Sequence, residues 1–233
     1  MSQTPNPNST SSENMSKTPL CRLEWFNNDP MYRRIYDILN VESRLPDPCE
    51  IMILSPLPVP KEAHEQTYGL CWRDRKEIWF RQQPPNYTDF AHELLHLVKG
   101  KEIELEEVYA YNLSHLVVML AEKGIVPPVN PVRLFIDVTK DMIVEALREA
   151  YKYPFKDLTE YFMTIGVIPP FLRLEYDPTQ NNLVVKYNPE YDERSVVIMA
   201  VTELIAGAEY EKVLFDALLK LLNKIAEKVG VRK

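Results

Sequence analysis

The chain has 233 residues, an apolar share of 45% and a net charge of −7 at neutral pH. That length and apolar share are sufficient for one large hydrophobic core or two small ones. Acidic and basic residues are mixed along the chain, so no nucleic-acid partner is expected, because phosphate binding needs a clustered cationic surface. No membrane partner is expected either, since no apolar run reaches the roughly 18 residues of a membrane helix.

Residues 1–20 are expected to form a disordered tail, because Ser, Asn, Thr and Pro dominate them and no core-forming pattern is present. The three cysteines, Cys21, Cys49 and Cys71, are odd in number and far apart, and no C-x-x-C spacing occurs. Structural zinc bound by thiolates is therefore not expected, and a reducing, cytoplasmic setting is the default prediction.

Residues 21–126 predict a first domain of the α+β class. Its early elements are a helix at 32–39, a strand at 50–54 and a hairpin of strands at 69–72 and 77–81. The proline-rich residues 84–86 end the hairpin, and Thr88 is the expected N-cap of the next helix.

That next helix carries the sequence His92-Glu-Leu-Leu-His96 within an apolar pattern. Histidines four residues apart lie one above the other on a helix and can bind the same metal ion. Glu93 is then placed to act as a general base on a water molecule. A five-residue pattern also arises by chance, and the alternative is a solvated helix with two unrelated histidines.

A metal held by two histidines needs a third protein ligand and an open position for water. Gly100 predicts a helix end, and a second helical pattern follows at residues 103–123. If the second helix folds back antiparallel, the acidic residues that reach the height of the histidines are Glu106 and Glu107. Glu107 is chosen because it belongs to a small and apolar stripe that suits close helix packing. The stripe also contains Ile103, Ala110, Ser114, Val117 and Ala121.

This constellation resembles the gluzincin metallopeptidases, and the small size of the domain resembles the minigluzincins. The run from Glu107 to Leu113, E-V-Y-A-Y-N-L, is similar to the E-A-N-x-F-A signature of the ImmA/IrrE group, although the interval after His96 is shorter. The resemblance covers about residues 29–123, including the order helix, strand, hairpin, metal helix and glutamate helix. It implies Zn²⁺ bound by His92, His96 and Glu107, with Glu93 as the catalytic base.

The resemblance also implies hydrolysis of a peptide or protein substrate, bound in extended form along the exposed edge of the hairpin. Tyr109, Tyr111 and His115 are candidates for stabilising the oxyanion, and the sequence does not choose among them. Tyr111 stands where many gluzincins carry an acid, so the rival hypothesis is a peptidase scaffold with little or no turnover that binds other proteins. A regulatory role at DNA ranks last, because no basic recognition helix is present.

Residues 127–233 carry no metal motif and predict a separate C-terminal α+β domain. Its predicted helices lie within 131–151 and at 157–166, 190–206 and 209–229, and its hairpin strands lie at 171–176 and 183–187. The order resembles that of the first half, with Thr202 and Ala206 where the histidines would be. A decayed tandem copy without metal is one hypothesis, and the alternative is that hairpin-helix-helix arrangements are common.

Overall fold

In the computed structural model of the protein, the described residues are 15–99, 107–151, 172–179 and 181–231. The chain divides into two compact units, Met1–Val126 and Pro127–Lys233. The described elements include seven α-helices, a four-stranded mixed sheet and a two-stranded sheet. The α+β class predicted from the sequence is therefore confirmed. Within the described ranges, no helix is long and apolar enough to cross a membrane.

The first unit combines four helices with the four-stranded sheet. Its helices are α1 (Glu24–Asn28), α2 (Pro30–Leu39), α3 (Tyr87–Leu97) and α4 (Glu107–Glu122), and its strands are β1 (Lys17–Pro19), β2 (Met52–Leu54), β3 (Gly69–Trp72) and β4 (Glu77–Phe80). The strand order is β1-β2-β4-β3, with β2 and β4 parallel and the other neighbours antiparallel. The predicted hairpin is thus the β3–β4 pair, and its outer strand β3 lies at an edge of the sheet and packs along α3.

The segment predicted as a disordered tail contains ordered residues. Strand β1 pairs with β2, so that Lys17 lies opposite Leu54. Met15 is buried and packs against Leu54 and Trp79. The expectation for residues 1–20 is therefore wrong for residues 15–20, because Met15 and Leu20 are buried and residues 17–19 pair with β2. The rest of the predicted tail lies outside the described residues.

Helix α3, which carries the two histidines of the motif, begins with a side-chain cap. The Oδ1 atom of Asn86 accepts a hydrogen bond from the backbone N–H of Asp89 at 2.7 Å, which satisfies one of the free donors of the first turn. The N-cap is therefore Asn86, and Thr88 is the second residue of the helix.

An aromatic cluster holds α3 against the N-terminal helices. The ring of Phe90 on α3 is fully buried, and its centroid lies 5.1 Å from that of Tyr32 and 5.7 Å from that of Trp25. The Tyr32 hydroxyl donates a hydrogen bond to the Pro85 carbonyl at 2.5 Å. Because edge-to-face aromatic pairs add to the energy of burial, this cluster fixes the position of the motif helix.

Helix α4 packs against α3 and α2 through the small and apolar stripe predicted from the sequence. Four described members of that stripe, Ala110, Ser114, Val117 and Ala121, are fully buried, whereas Glu107 at the start of the helix is exposed. The Ser114 hydroxyl donates to the Tyr111 carbonyl at 2.7 Å, which satisfies it inside the helix. Small side chains let the two helices approach closely, and this brings the start of α4 beside the middle of α3.

Cys21 and Cys49 are joined by a disulfide, and Cys71 is a free thiol whose pKa is raised by burial. The disulfide ties the turn after β1 to the segment before β2. Disulfides are rare in the cytoplasm of mesophilic cells, so this bond argues against the reducing setting expected from the sequence. A cytoplasmic localisation stays a prediction.

The second unit contains helices α5 (Lys140–Tyr151), α6 (Glu193–Ala208) and α7 (Lys212–Lys228), and the antiparallel strands β5 (Leu172–Asp177) and β6 (Asn182–Tyr187). Helix α7 packs against α5 and α6 through an apolar stripe. That stripe comprises Leu214, Leu218, Leu221, Leu222 and Ile225. Thr202 and Ala206 lie on α6, and the helix predicted at 157–166 lies outside the described residues. The hypothesis of a decayed tandem copy stays a prediction.

Candidate metal centre

Three side chains proposed from the sequence as metal ligands converge between α3 and the start of α4. The Nε2 atom of His92 lies 3.0 Å from Oε2 of Glu107 and 3.1 Å from Nε2 of His96. The Nε2 atom of His96 lies 3.5 Å from Oε1 of Glu107. One ligand atom from each residue can be chosen so that all lie within 4.8 Å of one another. Glu106, the other candidate of the helix count, lies outside the described residues.

The donor set of this centre could hold a metal ion, and its spacing is compatible with zinc. Around a tetrahedral ion with bonds of about 2.0–2.1 Å, neighbouring ligand atoms are about 3.3 Å apart, close to the separations observed between His92, His96 and Glu107. Two imidazoles and one carboxylate leave a fourth position for water. The alternative is a set of hydrogen bonds among the same groups, because their distances also suit a neutral imidazole beside a carboxylate.

The electrostatic surroundings of His96 favour the form that binds a metal. Burial lowers the pKa of His96, the neighbouring His92 lowers it further, and the Glu107 carboxylate acts in the opposite direction. Metal binding requires the neutral imidazole. A lowered pKa means that a larger fraction of His96 is already neutral at neutral pH. The Glu107 side chain is 80% exposed, and a metal therefore has access from the solvent.

Glu93 lies beside the three candidate ligands and is only 5% exposed. Burial raises the pKa of Glu93 to about 8, and the charges of Glu107 and Asp89 act in the same direction. A cation bound nearby would lower this pKa and favour the carboxylate form. The group can therefore exchange a proton in the neutral pH range.

The centre opens into a cleft of about 620 Å³. Strand β3 forms one wall of this cleft through Gly69, Leu70 and Cys71. Because β3 is an edge strand, one side of its backbone is directed away from β4. The cleft thus combines a strand edge with the candidate metal ligands.

Of the three candidates for oxyanion stabilisation, Tyr111 lines the cleft. Its side chain is exposed, and its ring centroid lies 4.8 Å from that of His115, one turn further along α4. Among the described residues that line the cleft, neither His115 nor Tyr109 is present. Of the three candidates, Tyr111 is thus the described residue that faces the cleft. His115 contacts the Tyr111 ring.

Sequence reasoning did not assign a role in the site to Gly69, Arg73 or Asp89, which all line the cleft. A glycine within a strand indicates close approach of another group, so Gly69 carried a usable signal. Arg73 stood in a charged turn, and Asp89 stood at the start of a helix, where acids are common. Only the packing of β3 along α3 brings these two charges to the cleft.

No protein-family model matches the chain, and no curated protein and no solved structure matches it either.

Proposed function

We propose that this protein is a zinc-dependent metallopeptidase that cleaves peptide bonds in a peptide or protein substrate. The observation that supports this most is the convergence of His92, His96 and Glu107 beside the buried carboxyl group of Glu93. Two histidines, a glutamate and an adjacent second glutamate form the set of groups that metal-assisted amide hydrolysis requires.

Zinc held by His92, His96 and Glu107 would polarise the substrate carbonyl and lower the pKa of a water molecule. Glu93 would accept a proton from the attacking water and later deliver it to the leaving amine. Without a bound ion, burial raises the pKa of Glu93 to about 8. A zinc ion beside it would lower this pKa and favour the carboxylate, the form that can accept a proton from water.

The exposed edge of β3 is suited to binding a substrate in extended form. A peptide can add to an exposed sheet edge through backbone hydrogen bonds, and β3 lies along the cleft that contains Glu93 and the candidate ligands. The exposed phenol of Tyr111 faces the same cleft and could donate a hydrogen bond to the oxyanion. Its contact with the His115 ring would then help to hold the Tyr111 side chain in place.

A second candidate function is a metal-binding scaffold with weak or absent turnover that binds other proteins. Its support is the way in which the two imidazoles are held. Among the described residues, the hydrogen bonds of the His92 and His96 side chains run through Nε2, the atom that would bind the metal. Histidine ligands in enzymes usually donate their other ring N–H to a carboxylate or carbonyl that orients them. A less firmly oriented centre would bind metal with lower catalytic power.

Metal analysis combined with two variants tests the proposal. We expect one zinc ion per chain, lost in His92→Ala and retained in Glu93→Gln. Cleavage of a peptide library should fall by about 10²–10⁴-fold in Glu93→Gln, the usual contribution of a general base. Zinc binding without any cleavage by the wild-type protein would favour the scaffold function. Absence of bound metal after reconstitution would overturn both, and equal cleavage by wild type and Glu93→Gln would exclude Glu93 as the base.

A further inference from the structure

Arg73 is a cationic side chain in the wall of the cleft that the proposed hydrolysis does not use. It directly follows β3, and its Nη2 donates a hydrogen bond to the Val98 carbonyl at the end of α3, 3.2 Å away. A guanidinium carries five N–H donors in a rigid fork. The bond to Val98 therefore anchors the group at the cleft while other donors can meet a second partner.

Two lysines of the first unit form ion pairs with carboxylates. Lys76 pairs with Glu50 at 3.1 Å, and Lys17 pairs with Glu77. Arg73 forms no ion pair with a carboxylate in the part of the chain that the structure describes. Arg73 lines the cleft, so a carboxylate of a ligand bound there can accept hydrogen bonds from it.

Asp89 carries the opposite charge at the other end of the same cleft. It lies one turn before Glu93 on α3, whereas Arg73 is anchored at Val98. Val98 lies nine positions after Asp89, which corresponds to about 13.5 Å along the helix. An extended peptide rises about 3.3 Å per residue, so this span corresponds to about four peptide residues. His92 and His96 lie within that span.

We propose that the cleft selects peptides that carry an acidic side chain beside Arg73, on the side of the metal centre towards the end of α3. This inference rests on the proposed peptidase function for its class of substrate. A carboxylate can accept two parallel hydrogen bonds from a guanidinium. The same carboxylate at the opposite end would meet Asp89 and be repelled, so selectivity depends on the position of the acid and not only on total charge.

A set of fluorescent peptides of equal length tests the inference, with Glu, Gln or Lys placed at successive positions. Binding is measured by anisotropy to the Glu93→Gln protein, with and without added Zn²⁺, and cleavage is measured with wild type. At one position we expect the peptide with Glu to bind about two- to fivefold more tightly than the peptide with Gln, which is the usual contribution of an exposed ion pair. This difference in affinity should shrink in high salt. Arg73→Gln should abolish this difference, and Arg73→Glu should favour Lys at that position.

Arg75→Gln is the matched control, because Arg75 lies in the same turn and is not among the described residues that line the cleft. It should retain the preference for Glu. Arg73 also donates a hydrogen bond at the end of α3, so its role could be purely structural. In that case Arg73→Gln would weaken the binding of the Glu and Gln peptides by the same factor, and this result would overturn the inference. Cleavage without any preference for Glu would overturn it as well and leave the peptidase function standing. Binding that depends on Glu and Arg73 but comes without zinc or cleavage would support the inference and overturn the peptidase function.

Discussion

A side chain at Gly69 would occupy the space of the Glu93 carboxyl group. A Cβ atom built at Gly69 lies 2.7 Å from both Cγ and Cδ of Glu93, closer than real Cβ contacts. The edge strand and the motif helix can approach this closely because position 69 has no side chain. The burial of Glu93, and with it the raised pKa of its carboxyl group, therefore depends on a glycine in the neighbouring strand.

Gly69→Ala should displace Glu93 without touching the three candidate ligands. We expect kcat/KM for peptide cleavage to fall at least about tenfold, since a misplaced base loses much of its effect, while zinc content stays at the wild-type level. Gly124→Ala is the control: nothing lies within 4 Å of a Cβ there, although its positive φ makes the change strained. Unchanged kcat/KM in fully zinc-loaded Gly69→Ala would show that Glu93 is not positioned in this way.

Removal of the Glu107 carboxylate should weaken zinc binding strongly. Because the side chain is 80% exposed, Glu107→Ala should leave the fold intact, and isothermal titration should show a loss larger than the 10–100-fold typical of residues that only orient a ligand. Glu102→Ala and Glu104→Ala should change the affinity little. If Glu106→Ala abolishes binding and Glu107→Ala does not, the helix register behind the ligand assignment is wrong by one residue.

The disulfide between Cys21 and Cys49 closes a loop with a sequence separation of 28. Replacing both cysteines by serine should lower the free energy of unfolding by about 3–4 kcal/mol, the loop-entropy value for this length. Chemical denaturation of wild type and variant measures the difference, and a reducing agent should destabilise wild type alone. Thiol titration of the unfolded, oxidised protein should find one thiol, Cys71, and three thiols would contradict the pairing.

Stability at alkaline pH should depend on Tyr32. Burial raises the pKa of Tyr32 to about 12, and the charges of Tyr87 and Asp29 contribute less. The folded protein therefore favours the neutral phenol, and this stabilisation is complete below about pH 10 and is lost as the pH rises towards 12. Tyr32→Phe should be less stable by about 1 kcal/mol at neutral pH and should decline less steeply between those values. Tyr210→Phe, at an 84% exposed position, should match wild type throughout a pH series of urea unfolding curves.

Regular helix geometry explains why the candidate ligands could be grouped from the sequence. The prediction assumes a fixed rise per residue and an antiparallel return after Gly100. Residues 100–106 lie outside the described part of the chain, and the Glu107 carboxylate lies 3.0 Å from His92. The β3–β4 hairpin was predictable for a similar reason, because alternating patterns and a charged turn are local signals.

Features that depend on distant partners could not be predicted in the same way. Met15 is buried because Leu54 and Trp79 lie beneath it, and no local pattern around Met15 indicates this. The pairing of Cys21 with Cys49 requires the turn after β1 to meet the segment before β2. Arg73 reaches the cleft only because β3 packs along α3 and Val98 accepts its hydrogen bond.

The three candidate ligands lie on two helices, so a bound metal ion would affect the stability of the folded protein. A metal ion held by His92 and His96 on α3 and by Glu107 on α4 would act as a cross-link between the two. An ion that binds the folded chain and not the unfolded one stabilises it by about 1.4 kcal/mol for each tenfold rise in free metal above the dissociation constant. The melting temperature would then follow the zinc supply, and a chain deprived of zinc would lose resistance to proteolysis together with any activity.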